Sequence, residues 1–155
     1  MSKFSEAFGK QYEKNKVSII SRKFEMGNHT FKVRVPSVGE LEAIYNFEIS
    51  PDHEWVEAAY QELTKSLTFE SENMVKTEND IVIDGRSMRE AARTKIVLQH
   101  RIVEYFKLLV PETGESLEDL SYEDIEAEFP LAIQMQFVEK INEVISPDYK
   151  EARGK

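Results

Sequence analysis

Histidine and carboxylate side chains are the groups in this chain whose chemistry would suit a catalyst or a metal centre. The chain has three histidines and no cysteine, so thiolate zinc sites, iron–sulfur clusters, disulfides and cysteine nucleophiles are excluded together. His29, His53 and His100 are far apart, and none has the spacing that places two metal ligands on one helix face. The sequence therefore predicts no metal site.

Carboxylate pairs are abundant but carry no specific signal. Asp and Glu supply 29 of the 155 residues, so adjacent acids such as Glu123 and Asp124 are explained by solvation and helix capping. Asp80 and Asp84 flank a short apolar run but lack the other ligands of an EF-hand loop. The sequence has no GxSxG, GxxxxGK[ST] or GxGxxG motif. We expect a non-enzymatic protein without a cofactor.

Composition and charge limit the partners. The chain is 41% hydrophobic and 32% charged, a composition typical of one globular domain. No stretch approaches the ~20 apolar residues of a membrane span, so we expect no membrane partner. Residues 1–36 hold eight Lys or Arg against three Glu, net +5, whereas the rest holds twelve against twenty-six acids, net −14. Nucleic acid needs concentrated positive charge, so we expect no nucleic-acid partner.

The basic N-terminal region contains two elements. In residues 1–16, Phe4, Phe8 and Tyr12 repeat every four positions, which predicts an amphipathic helix over residues 3–15 that could act as a docking arm. Residues 17–35 flank Gly27-Asn28 and predict a β-hairpin. Its predicted pairs are Ile20–Val35, Ser21–Arg34, Arg22–Val33, Lys23–Lys32 and Phe24–Phe31. One face of the hairpin would then be apolar and would pack on the core. The other face would be basic and would contact either solvent or an acidic partner chain.

Residues 37–146 are predicted to be mainly helical. Four helix-start signals occur there, at Ser37, Ser50, Ser87 and Ser121. Within this range, a mobile loop is predicted at 70–80 and a short strand at 81–83. A polar tail is predicted to follow at 147–155. The predicted fold is α+β and mostly helical: one domain, with the hairpin packed against a bundle of four or five helices.

The last predicted helix, Leu131–Ile145, is apolar on two sides. One stripe is expected to pack inward and consists of Leu131, Met135, Val138, Ile141 and Ile145. The other is expected to face a partner or a second copy of the chain and consists of Ile133, Phe137 and Val144. A helix with two apolar stripes is either central in its domain or covered by another chain. With Phe4, Phe8 and Tyr12, the second stripe forms the predicted partner-binding set.

The stretch FKVRVPSVGELEAI (residues 31–44), between a basic N-terminal segment and an acidic helical remainder, resembles the tail assembly chaperones of long-tailed, siphovirus-like bacteriophages. The resemblance implies a small protein of the host cytoplasm that binds the tape measure protein. It further implies that the protein keeps this partner soluble and helps tail tube protein to polymerise around it.

Two other functions remain open at this point. The acidic composition is also typical of inhibitors that mimic DNA, such as anti-restriction or anti-CRISPR proteins. A structural head–tail or tail component is the third alternative. Carboxylates spaced like phosphates along one face would favour the mimic, whereas a contiguous apolar surface would favour the chaperone.

Overall fold

The computed structural model describes residues 3–65 and 73–146, in which six helices and five strands occur. The helices are α1 Lys3–Ile20, α2 Val38–Ile49, α3 His53–Thr64, α4 Met88–Phe106, α5 Tyr122–Glu128 and α6 Leu131–Ile145. The strands are β1 Ser21–Met26, β2 His29–Arg34, β3 Met74–Lys76, β4 Ile81–Ile83 and β5 Arg86–Ser87. The predicted fold class, α+β and mostly helical, is confirmed.

The chain divides into two compact units. The first contains Met1–Ser37 and Val103–Lys155, and the second contains Val38–Ile102. None of the helices within residues 3–65 and 73–146 is both long and apolar enough to cross a membrane.

In the first unit, β1 and β2 form the predicted antiparallel hairpin. Four predicted pairs are confirmed, namely Ser21–Arg34, Arg22–Val33, Lys23–Lys32 and Phe24–Phe31. The turn residues Gly27 and Asn28 have φ values of 60° and 63°. Two positive φ angles in succession define a type I′ turn, which glycine adopts without strain and asparagine tolerates. The turn sets the register, and the register separates the apolar face from the basic one.

The open edge of β2 is covered by the segment that follows α4. The N–H of Arg34 donates to the carbonyl of Leu108 at 2.8 Å, and the N–H of Val110 donates to the carbonyl of Lys32 at 2.9 Å. These bonds satisfy backbone groups that would otherwise line an exposed sheet edge. The apolar spacing from Met88 to Leu109 predicts that α4 continues to Leu109. The bonds to β2 explain why the helix ends three residues earlier, at Phe106.

Helix α6 packs on both strands of the hairpin through a cluster of phenylalanines. Phe137 lies at its centre, and its ring centroid is 4.9–6.3 Å from those of its four neighbours. The neighbours are Phe24, Phe31, Phe106 and Phe129. Aromatic pairs at such distances stabilise a core beyond the area that they bury. The hairpin, α4, α6 and the residue that follows α5 thus share one aromatic core.

The second unit has a separate apolar core between α3, α4 and a three-stranded sheet. The sheet has the order β3-β4-β5 with antiparallel neighbours. Its core is formed by Val56, Ala59, Tyr60, Ile81 and Ala92. The turn between β4 and β5 has Asp84 and Gly85 at φ 50° and 79°, as the Asp-Gly pair predicts.

Three further predicted boundaries differ from the structure. The predicted strand at 17–20 is the end of α1, because the β-branched preference of Val17 and Ile19 for strands is weak and context decides. Helix α3 begins two residues later than predicted, since Asp52 rather than Ser50 is its N-cap and accepts from the N–H of Glu54 at 2.9 Å. The predicted loop at 70–80 contains β3. Residues 70–72 of this loop lie outside the described residues. So do the tail at 147–155 and the end of the helix that the spacing of Trp55, Ala59, Leu63 and Leu67 predicts near residue 68.

Candidate partner-binding surface

The predicted aromatic residues of α1 form an exposed patch, which we call the aromatic stripe: Phe4, Phe8 and Tyr12. Phe4 and Phe8 are each 60% exposed, and Tyr12 is half-buried. Their ring centroids are 4.7 Å apart for Phe4–Phe8, 5.5 Å for Phe4–Tyr12 and 5.8 Å for Phe8–Tyr12. All three distances are typical of favourable aromatic pairs, so the rings form one continuous apolar patch.

An interruption at Gly9 makes this patch compact. Gly9 has φ 76° and ψ −172°, a non-helical conformation inside α1 that only glycine adopts at low cost. Eight residues of straight helix would rise by roughly 12 Å. The 5.5 Å between the rings of Phe4 and Tyr12 is less than half of that. The interruption therefore gathers three rings that a straight helix would spread along its length.

The helix that carries the aromatic stripe has a net positive charge. The charged residues of α1 are Lys3, Lys10, Lys14 and Lys16 against Glu6 and Glu13. The buried side chain of the helix is Ser5, which shows that the aromatic rings are on another face. An exposed aromatic patch with a polar border is typical of a surface that binds another protein.

The structure corrects the prediction for α6. Phe137 is 3% exposed and lies in the phenylalanine cluster, so it does not face a partner. Ile133 and Val144, predicted on the same outer stripe, are half-buried. Two members of the predicted inner stripe, Leu131 and Met135, are exposed instead. The α6 surface predicted for partner binding is therefore largely core.

The reason for this correction is geometric. Two apolar stripes on one helix are equivalent in the sequence, and only the neighbouring elements select which one is buried. The hairpin and α4 contribute Phe24, Phe31 and Phe106, whose rings surround Phe137. Gln134 is buried beside it, with its amide oxygen accepting from Tyr122 at 3.0 Å and its amide nitrogen donating to the Phe129 carbonyl at 2.8 Å. Gln134, a polar residue between the two stripes, is thus part of the core.

The outer face of the hairpin carries the predicted basic pair. Lys23 and Lys32 are exposed and lie opposite each other. Beside them, a groove of about 580 Å³ runs between β2 and the segment after α4. Its border includes a contact of 3.5 Å between His29 Nε2 and Glu112 Oε1, both well exposed. Contacts between exposed side chains of this kind contribute little to stability.

A cluster of charged residues in the second unit has an evident structural role. The guanidinium of Arg89 pairs with Glu57 at 2.5 Å and lies 4.0 Å from the ring centroid of Tyr60. Its hydrogen bond lowers the pKa of Glu57. These contacts join α4 to α3. Among the described residues, no three His, Asp or Glu side chains are close enough to share a metal ion.

Sequence reasoning missed a third apolar surface, on α2. The apolar residues Leu41, Ile44 and Tyr45 predict the buried stripe of this helix, but Tyr45 is about half exposed. Val38 and Ile49, on the same side of the helix as Tyr45, are more exposed still. The signal was present in the sequence, because these three apolar residues are spaced by seven and four and therefore share one face.

Comparison with known proteins finds no counterpart: no family model, curated protein or solved structure matches the chain.

Proposed function

We propose that the protein is a phage tail assembly chaperone that binds the tape measure protein and keeps it soluble in the cytoplasm of the bacterial host. In the same proposal, it promotes polymerisation of the tail tube protein around this partner. The observation that carries the proposal is the aromatic stripe on α1, where two phenylalanines are each 60% exposed and in contact with each other.

The aromatic stripe is suited to cover apolar surface on a helical partner. Helices are recognised when apolar side chains spaced by three and four residues contact an apolar surface, and aromatic residues dominate the energetics of such contacts. A cluster of three rings already in contact loses little side-chain freedom on binding, because the rings are already ordered.

The acidic part of the chain supports the second task of a chaperone, which is to keep the complex in solution. Residues 112–139 contain nine acidic residues and no Lys or Arg. Net charge well away from zero opposes aggregation, and acidic residues do so more effectively than basic ones. The chain thus combines exposed apolar rings with a strong negative charge.

Co-expression with a tape measure protein of a siphovirus-like phage, the long helical partner that the proposal names, tests the proposal. The variant combines Phe4→Ser with Phe8→Ser, and the control is Val75→Ser, which removes an equally exposed apolar side chain from β3. We expect the wild type and the control to keep the long protein in the soluble fraction, and the double variant to lose most of it. Circular dichroism should show all three folded, because exposed side chains contribute within about 0.5 kcal/mol.

Two results would argue against the proposal. If the long protein is equally soluble with and without this chain, the chain does not keep it in solution. Equal solubility with the wild type and the double variant would show that the aromatic stripe is not the contact.

A further inference from the structure

Helix α2 is apolar on two opposite sides. On one side Ile44 is buried and Phe47 is half-buried, with its ring stacked on His100 at 3.7 Å between centroids. On the other side, Val38 and Ile49 are 72% and 73% exposed. Helices that are apolar all round are normally covered on all sides, so the exposed side of α2 is a candidate binding surface.

The exposed residues form one straight row, which we call the α2 outer face: Val38, Glu42, Tyr45 and Ile49. They follow the spacing i, i+4, i+7 and i+11, and at 3.6 residues per turn these positions lie within roughly 60° of one another. A row of this spacing spans about three turns of helix and matches the apolar stripe of a second helix lying alongside it.

Charge identifies the kind of helix that would fit. Helices α2 and α3 together contain six Glu and no Lys or Arg. Near the end of α2, Arg93 donates to the Ile49 carbonyl at 2.8 Å, and the Arg101 guanidinium lies 3.9 Å from the Glu48 carboxylate. Glu42 is different, because in the described part of the chain it has no ion-pair partner. A carboxylate in the middle of an apolar row favours a partner that places a cation there.

We propose that the α2 outer face binds a basic amphipathic helix of a partner protein. The partner's apolar side chains would pack between Val38, Tyr45 and Ile49, and a lysine or arginine would lie beside Glu42. The inference builds on the proposed function, since such a helix would belong to the protein that the chaperone holds.

Symmetric pairing with a second copy fits the α2 outer face less well. Two α2 helices packed face to face would bring their Glu42 carboxylates close to each other, and like charges in contact destabilise an interface. A different segment of a second copy could bind the α2 outer face without this repulsion. Analytical ultracentrifugation would detect such pairing as self-association.

A synthetic peptide tests the inference. The probe is a fluorescein-labelled 18-residue helix with Leu at i, i+4, i+7 and i+11 and Lys at the flanking positions, and binding is followed by fluorescence anisotropy. We expect the double substitution Tyr45→Ser with Ile49→Ser to weaken binding at least tenfold. Val75→Ser, an exposed apolar residue of β3 in the same unit, should bind like the wild type.

Charge reversal provides a second test that leaves the apolar row intact. Glu42→Lys should weaken binding of the Lys peptide about tenfold and should restore binding of a peptide with Glu at the flanking positions. The control Glu126→Lys on α5 makes the same change in net charge and should leave both affinities unchanged. If Glu42→Lys and Glu126→Lys weaken binding of the Lys peptide equally, the inference is overturned, because the effect would then depend on total charge alone.

Further results separate this inference from the proposed function. The variant with Phe4→Ser and Phe8→Ser should bind the peptide normally, whatever its effect on the long partner protein. Equal peptide binding by the wild type and the Tyr45/Ile49 variant would overturn the α2 site and leave the aromatic stripe untouched. Analytical ultracentrifugation provides another outcome that would overturn the α2 site. If the wild type self-associates and the Tyr45/Ile49 variant does not, a second copy of the chain is the occupant.

Discussion

The guanidinium of Arg22 donates a 2.5 Å hydrogen bond to the main-chain carbonyl of Val144, 122 positions further along the chain. Val144 lies in the last turn of α6, a turn that has no basic residue of its own. Carbonyl groups at a helix C-terminus lack intrahelical partners and carry partial negative charge. The hairpin register pairs Arg22 with Val33, on the face that carries Phe24. The hairpin thus supplies α6 with the terminal cation that the helix lacks.

Replacing Arg22 by Ala should therefore lower the free energy of unfolding by about 1 kcal/mol, the usual size of a cation effect at an exposed helix end. Urea unfolding followed by circular dichroism at 222 nm measures this loss. The matched control is Lys23→Ala, the next residue on the opposite face, with an expected change within about 0.5 kcal/mol. Equal effects of the two substitutions would mean that the bond to Val144 does not stabilise α6.

Phe137→Ala should be among the most damaging single substitutions. It removes the ring at the centre of the phenylalanine cluster, and large-to-small changes of a buried phenylalanine cost about 3–5 kcal/mol. Met135→Ala, two residues away on the exposed side of α6, is the control and should cost less than about 1 kcal/mol. Thermal unfolding distinguishes the two, and similar melting temperatures would show that Phe137 is not core.

Gln134 and Tyr122 should be energetically coupled. Gln134→Leu leaves the Tyr122 hydroxyl and the Phe129 carbonyl without their buried partner, which costs about 1–3 kcal/mol. Tyr122→Phe alone removes one hydrogen bond, worth about 1 kcal/mol. Because both changes remove the same bond, the double variant should lose less than the two single losses added together. Strict additivity in urea unfolding would contradict the 3.0 Å contact between them.

Asp80 should make stability depend on acidity. The Ser87 hydroxyl donates a hydrogen bond to the Asp80 carboxylate, and this bond is the largest cause of a pKa below the ordinary value of 3.8. Partial burial acts in the opposite direction and raises the pKa. The N–H groups of Arg89 and Ile81 also donate to the carboxylate and lower the pKa further. A lowered folded pKa means that the carboxylate stabilises the fold above about pH 4. The benefit is lost as the pH falls from there through the folded pKa.

The measurement for Asp80 is the melting temperature between pH 7 and pH 3. At pH 7 we expect Asp80→Asn to melt below the wild type, and the difference should shrink as the pH falls below about 4. Ser87→Ala removes the largest cause of the lowered pKa, so its melting temperature should show a weaker pH dependence in the same range than that of the wild type. A difference between wild type and Asp80→Asn that stays constant down to pH 3 would contradict the assignment.

Local signals were sufficient for several elements. The Gly27-Asn28 turn predicts the hairpin and its register, because a two-residue turn allows only one pairing of the flanking residues. The bounds of α6, Leu131–Ile145, also agree with the prediction, since Pro130 precedes the helix and the apolar period ends with it. The α1 residues Phe4 and Phe8 were predicted to share a face from their four-residue spacing alone, and their rings are 4.7 Å apart.

Which apolar face is buried could not be read from the sequence. The two stripes of α6 are equally apolar, and Phe137 is core only because the hairpin and α4 bring Phe31 and Phe106 against it. The same holds for α2, where Ile44 is buried and Tyr45, the next residue, is exposed. Periodicity depends on residues within one helix, whereas burial depends on contacts between residues far apart in the chain. The sequence by itself thus determined the elements, their charge and the hairpin register, and only tertiary packing decided which surfaces remain open to a partner.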